Sequence, residues 1–278
     1  MAVIAMTREM ATLGKDVAAG LAERLGLTVV HHEVVEHDIA ERAGLRESEV
    51  HRYLEGEASL LERWRIDSNR LCRYTAQEIL ELAAKGNVLI RGWGATYLLR
   101  AVPHVVCVRI CAPMLFRERV LMERLGITDR TAAQREIERN DAAQNATMQR
   151  MFGVDWKDST LYAGVLNTAR VPVETCVAQI ARLVENTAFQ ETAEARSALM
   201  DELVLTRVRT ALEQRFGSGV GMLGGIDATI LAGKVALSGA TRNHIVSADA
   251  ARLVQSIEGV TGVENNIVYL PTHTSAWT

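Results

Sequence analysis

No stretch of this chain approaches the run of about 18 apolar residues that a membrane-spanning helix needs. Nothing at the start reads as an export signal either: the apolar MAVIAM is short, and Arg8 and Glu9 follow at once. The expectation is a soluble, globular protein of the cytoplasm. Charge of one sign is equally scarce. The 31 basic residues stand against 34 acidic ones, a net of -3, which leaves no broad cationic face for nucleic acid. Only four cysteines occur, Cys72, Cys107, Cys111 and Cys176, with no C-x-x-C pair. Cys107 and Cys111 sit in an apolar run, so buried thiols are expected rather than a disulfide framework or a metal site. The histidines His31, His32, His37 and His51 lack the H-x-x-x-H spacing of a helix-borne zinc pair and read as surface or capping groups. At 278 residues the chain exceeds one typical domain, and two are expected.

What is there begins with Val3 to Leu25. A short apolar strand runs into a loop holding Gly14 and Lys15, and then into a helix with Val17, Leu21 and Leu25 at helical spacing. A strand-to-helix loop gathers free backbone N–H groups and the positive end of the helix dipole at one point, and a lysine there suits a phosphate. The full pattern G-x-x-x-x-G-K-[ST] is only half met, because Glu9 stands at the first glycine position and Asp16 follows Lys15. By pattern alone, a phosphate site and an ordinary strand-turn-helix stand level.

Further on, Leu27 to Val30 reads as a short strand and His31 to Lys85 as a charged helical region. There Arg63, Arg65, Arg70 and Arg73 surround an apolar stripe that includes Trp64, Leu71 and Tyr74. A solvated helix face and an acceptor-phosphate site explain those arginines equally. Val88 to Ile90, Val105 to Cys111 and Ala163 to Leu166 are apolar runs separated by helical stretches, the order of a parallel sheet with helices on both faces. Ligands gather at the carboxyl ends of such strands. The loops after Met6, Ile90, Ile110 and Leu166 are therefore expected around one pocket. Met114 to Phe152 is helical and rich in arginine, with acids nearly matching; a new helix is expected near Thr128 to Gln134, capped by Thr131.

Four motifs then stand in order: Thr7-Arg8-Glu9 with Gly14; Arg91-Gly92-Trp93-Gly94-Ala95; Phe152-Gly153-Val154-Asp155-Trp156-Lys157-Asp158; and Leu166-Asn167-Thr168. Together they resemble the cytidylate kinase-like family of nucleoside monophosphate kinase folds, over about residues 1 to 186. The resemblance implies a three-layer αβα parallel-sheet domain of P-loop kinase type. Such a domain moves the γ-phosphoryl of ATP to a nucleoside monophosphate, CMP or dCMP foremost, with Mg2+. On that basis the backbone from Ala11 through Thr12 and Leu13 to Gly14, with Lys15 and Asp16, holds the donor phosphates, and Asp16 is the candidate metal ligand. Asn167 and Thr168 lie near the donor nucleoside. Arg91, Gly92, Trp93 and Gly94 form the acceptor side, and Lys15, Arg139 and Arg150 supply catalytic cations.

The departures from the family pattern matter too. Trp93 stands where an arginine for the acceptor phosphate is usual, Gln144 where a lid arginine is, and Ala11 and Leu13 replace small glycine-rich turns. Losing one transition-state arginine can lower phosphoryl transfer by roughly a thousandfold. A nucleotide-binding sensor with weak or absent catalysis therefore stays open beside an active kinase.

After a polar stretch from Val184 to Met200, expected as a helical connector over about 187 to 199, the composition changes. A helix over Asp201 to Phe216 and a glycine-rich break from Gly217 to Gly225 come first. A hairpin over Ile226 to Ala240, a helix near Ile245 to Ile257 and a last strand over Val263 to Leu270 complete an αββαβ order. Lys234-Val235-Ala236-Leu237-Ser238-Gly239 and Gly259-Val260-Thr261-Gly262-Val263-Glu264-Asn265-Asn266 resemble a BON domain, covering about 200 to 271. That family is associated with phospholipid surfaces. The six scattered cations of this region do not make a polybasic anchor, so a protein-contact or self-association module is preferred to membrane-surface contact.

Overall fold

The computed structural model describes residues 1–30, 32–54, 58, 68–92, 94–217 and 225–270. The chain forms two compact units, Met1–Ala195 and Arg196–Thr278. Among the described residues no helix is long and apolar enough to cross a membrane.

The first unit is built on five parallel strands: β1 (Val3–Arg8), β2 (Thr28–Val30), β3 (Val88–Arg91), β4 (Val105–Cys111) and β5 (Gly164–Asn167), in the order β2-β3-β1-β4-β5. The central strands are continuous apolar runs because both sheet faces are covered, so alternation is not needed. Val3, Ile4, Ala5 and Met6 of β1 are all buried. On one face lie α1 (Gly14–Leu25) and a late helix, α8 (Val173–Glu185). Val17, Leu21, Cys176, Val177 and Ile180 from them join Ile4, Met6, Val106, Val108 and Ile110 in one core. Burying each such side chain contributes about 1.5–3 kcal/mol.

Between β2 and β3 the described helices are α2 (His32–Ala43), α3 (Glu47–Leu54) and α4 (Ser68–Lys85). Ion pairs lace them together. His37 bonds Glu47 at 2.7 Å, His51 bonds Glu36 at 3.0 Å, and Arg42 reaches Glu78 at 3.1 Å and Glu81 at 3.0 Å. These two histidines thus sit on carboxylates, and Glu47 raises the pKa of His37. His31, Arg63, Trp64 and Arg65 lie outside the described residues. After β3 comes the single turn α5 (Ala95–Leu98), and after β4 the helices α6 (Met114–Leu125) and α7 (Arg130–Phe152).

α7 starts differently from the expectation. Asp129, not Thr131, is its N-cap, with the carboxylate accepting from the Ala132 N–H at 3.1 Å. An aspartate at that position adds favourable charge at the dipole's positive end, which a hydroxyl cannot do. All four cysteines are free; burial pushes Cys72 up to about 11 and Cys107 up to about 12.

The stretch 184–200 is not one continuous helix. α8 ends at Glu185, Asn186 caps a 3-10 turn at Thr187–Phe189, and α9 (Ala193–Phe216) begins three residues beyond Gln190. The second unit, from residue 196, packs α9 and α10 (His244–Gln255) on a three-stranded sheet of β6 (Ile226–Leu231), β7 (Lys234–Thr241) and β8 (Gly262–Tyr269). β6 and β7 pair antiparallel as a hairpin, and β7 and β8 pair parallel across α10. Val204, Val208, Leu212, Ile226, Ala228, Val235, Leu237, Ala250 and Val254 form its core. Asp201 of α9 clasps the hairpin turn by accepting from the N–H groups of Ala232 (2.7 Å) and Gly233 (2.8 Å).

Candidate nucleotide site

β1 delivers the chain to the loop Glu9–Leu13 at the carboxyl edge of the sheet. Ala11 (φ 60°) and Leu13 (φ 57°) both take the left-handed conformation that glycine adopts without strain. Leu13 is the N-cap of α1, with no side chain capping the helix. Its carbonyl accepts from Asp16 at 3.0 Å and Val17 at 3.1 Å. The helix thereby presents its first N–H groups to the loop. Arg8 folds over Gly14, so a Cβ there would meet Arg8 Cβ and Cδ at 2.9 Å.

The pKa of Lys15 is lowered, first by the Arg8 guanidinium, then by partial burial, then by Arg124 and Arg91, while Asp16 acts the other way. Lys15 at the start of α1 thus feels Arg8 at the end of β1, Arg91 at the end of β3 and Arg124 in the last turn of α6. Lys15 and Asp16 are exposed and available to a ligand.

Behind the loop lies a network that sequence reasoning missed. Glu9, at the position of the pattern's first glycine, is buried and holds Arg109 of β4, the Ala112 N–H at 3.2 Å and Arg117 of α6 at 3.6 Å. Arg117 also donates to the Met10 carbonyl at 2.8 Å and grips Asp141 of α7 with two bonds of 2.7 and 2.8 Å. Thr12 Oγ1 donates to the Glu9 carbonyl at 2.8 Å, and Thr168 Oγ1 donates to the Thr12 carbonyl at 2.7 Å. So the loop is fixed to β4, α6, α7 and the end of β5. The available signal was Arg109, a lone charge inside the apolar run Val105–Cys111.

Beside the loop, over the ends of β1 and β3, is a cavity of about 80 Å³. Thr7, Arg8, Arg91, Gly92 and Gly94 line its strand side. Leu54, Gln144, Thr147, Met148, Met151, Phe152 and Trp156 line the rest. Gly94 (φ 71°) is required here twice over, for its backbone and because a Cβ would sit 2.2 Å from Phe152. Phe152 in turn packs on Tyr97 with ring centroids 4.9 Å apart.

Of the expected site residues, Ala11, Thr12, Leu13, Gly14, Lys15 and Asp16 come together in the loop, with Thr168 beneath them. Asn167 is adjacent, its side chain accepting from the Ala169 N–H at 3.0 Å. Arg91, Gly92 and Gly94 line the cavity, and Trp93 lies outside the described residues. The two lid candidates are elsewhere. Arg139 is 67% exposed and pairs with Glu136 at 2.9 Å, while Arg150 lies over the Tyr53 ring (4.5 Å) and donates to the Tyr53 carbonyl at 3.2 Å. Arg70 donates to the Tyr74 hydroxyl at 3.1 Å. Among the described residues no cluster of three or more His, Cys, Asp or Glu is arranged to hold a metal. A single carboxylate such as Asp16 is nonetheless compatible with Mg2+, which is commonly bound by one or two carboxylates plus substrate phosphates.

Residues 3–170 match the model of the cytidylate kinase-like family. The chain belongs to that family. Residues 201–271 match the BON domain model, so this cytidylate kinase-like chain carries a C-terminal BON domain. An uncharacterized protein from Eubacterium ventriosum shares the fold, with a TM-score of 0.52 and 20% identity over 66% of this chain and 98% of that one. More distant are a gluconokinase from Sinorhizobium meliloti (TM-score 0.40, 14% identity, covering 69% and 98%) and shikimate kinase from Bacteroides thetaiotaomicron (0.39, 16%, covering 66% and 99%). Neither is similar enough in shape to bear on function. No curated protein matches the chain.

Proposed function

We propose that the first unit transfers the γ-phosphoryl of ATP to a nucleoside monophosphate, with cytidylates the preferred acceptors. The observation that carries this reading is the strand-loop-helix at 9–16, where Gly14, the start of α1 and the exposed Lys15 come together beside Arg8, and where Arg8, Arg124 and Arg91 lower the pKa of that lysine. Like charges held together in this way lower the ammonium's own proton affinity, and a polyphosphate relieves the repulsion. The loop N–H groups and Lys15 bind the donor phosphates, and Asn167 and Thr168 border the donor nucleoside. Asp16 with those phosphates holds Mg2+, which supplies charge neutralisation. The acceptor occupies the cavity beside the loop, with Arg8 and Arg91 toward its phosphate. At about 80 Å³ the cavity is smaller than the roughly 300 Å³ of ordinary ligand sites. Binding therefore requires the wall opposite the strands to open, a gating motion.

A second reading is a nucleotide sensor with weak catalysis. It is favoured by Gln144 in the cavity wall and by Arg139 and Arg150 being engaged with Glu136 and Tyr53. One pair of measurements separates the two: ADP release in the presence of CMP, dCMP, UMP or AMP, beside calorimetric titration of ATP with Mg2+. ATP binding with turnover supports the kinase, ATP binding without turnover supports the sensor, and no ATP binding refutes both.

For the BON domain we infer a protein-contact or self-association role. Arg207, Arg209 and Arg252 pair with Glu258, Asp227 and Asp249, which leaves little cationic field for an anionic bilayer. Sedimentation with phosphatidylglycerol vesicles tests this; strong binding at physiological salt would reverse the preference.

A further inference from the structure

We propose that the indole N–H of Trp156 is a specificity contact for the phosphoryl acceptor, donating to an exocyclic carbonyl oxygen on the acceptor's ring. This rests on the cavity being the acceptor site. Trp156 lines that cavity and is only 2% exposed. An indole nitrogen is a donor only, and a buried one ordinarily finds an acceptor. This one has no hydrogen-bond partner among the described residues.

Nor can the ring turn to find one easily. The Tyr162 hydroxyl donates to the Trp156 carbonyl at 2.5 Å and fixes the backbone. The Arg109 guanidinium lies 5.4 Å from the ring centroid, and Arg109 is itself anchored by Glu9. Trp156 shares this side of the cavity with Leu54, Met148, Met151 and Phe152, beside the polar Gln144 and Thr147. A few fixed polar groups among apolar ones are what orient a ligand in small-molecule sites. Arg8 and Arg91 line the same cavity and supply positive charge suited to an anionic ligand. Together they select a phosphomonoester joined to a planar ring that carries a carbonyl, the chemistry of a pyrimidine 5'-monophosphate.

Two replacements in the full chain test this. Trp156→Phe removes the donor and part of the ring; 3-benzothienylalanine at position 156 keeps the bicyclic shape and exchanges only N–H for sulfur. The affinities of CMP, UMP, ribose 5-phosphate and ATP are measured by calorimetry, with thermal unfolding of each free protein. The benzothienyl protein is expected to bind CMP and UMP about 3- to 10-fold more weakly, the worth of one neutral hydrogen bond. Its ribose 5-phosphate and ATP affinities stay unchanged, and its melting temperature is no lower than that of the unaltered protein, because an unmet buried donor has been removed. Unchanged CMP and UMP affinity, an equal loss for ribose 5-phosphate, or a clear loss of thermal stability would each overturn the Trp156 contact. If the unaltered protein binds ATP but none of the three acceptor probes, the reading of the cavity fails and the contact with it.

Discussion

Replacing Arg117 by methionine removes the cation that joins the phosphate loop to α7. Its side chain is 4% exposed and makes three hydrogen bonds, one to the Met10 carbonyl and two to Asp141, besides lying 3.6 Å from Glu9. Two effects compete. Desolvating a guanidinium opposes folding, while the charge-assisted bonds favour it; in such sites the net worth of the pair is small but the cost of breaking it is large, because the abandoned partner stays buried. Glu9 keeps Arg109 and the Ala112 N–H, so the main loss falls on Asp141 and the Met10 carbonyl. The expected cost is about 3–5 kcal/mol. At roughly 2–4 °C per kcal/mol for a unit of this size, that is a fall of about 6–20 °C in melting temperature. Tryptophan fluorescence is a suitable probe, since three of the four tryptophans, Trp64, Trp93 and Trp156, belong to the first unit. Adding Asp141→Leu should restore a good part of the loss by removing the stranded charge. A single-mutant cost below about 1 kcal/mol, the level of an exposed pair, would refute the claim that Arg117 locks the loop.

Lys15→Ala should weaken ATP binding while leaving the free protein at least as stable, because Arg8 and its neighbours already disfavour the ammonium in the folded state. In the unmodified protein the same lowered pKa makes folding stability rise, and ATP affinity fall, as pH climbs through it below 10.5; calorimetry and thermal melts across alkaline pH check both signs. Leu13→Gly relieves a left-handed leucine worth about 1–2 kcal/mol but loosens the unfolded chain by about 0.4–1 kcal/mol, for a net gain of roughly 0–1.5 kcal/mol in urea unfolding. Asp201→Ala strips the acceptor from two hairpin amides in the BON domain and should cost it about 1–3 kcal/mol, seen as faster hydrogen exchange at Ala232 and Gly233.

Much of the architecture was legible in the residues. Val3–Met6, Val88–Ile90 and Val105–Cys111 are apolar without alternation, which requires cover on both faces, and stops such as Gly86-Asn87 and Ala112-Pro113 mark where the strands begin or end. From that, the loops at the carboxyl edge and the convergence of Gly14-Lys15 with Arg91-Gly92 follow. The alternation Ile226, Ala228, Ile230 likewise announced the hairpin of the BON domain.

What only the tertiary structure decided was which charges meet. Glu9 and Arg109 are 100 positions apart and Thr12 and Thr168 are 156 apart, and nothing local distinguishes those partners from the other cations and hydroxyls. Arg139 and Arg150 looked equivalent on one helix, yet they end on Glu136 and on Tyr53 of another element. The same holds for Trp156, whose indole N–H meets no acceptor among the described residues. Periodicity records the local backbone and the face each residue takes, because burial repeats with the pitch of the helix or strand. Ion pairing and donor satisfaction depend on distances of a few ångströms between segments far apart in the chain, and only the packed fold determines those.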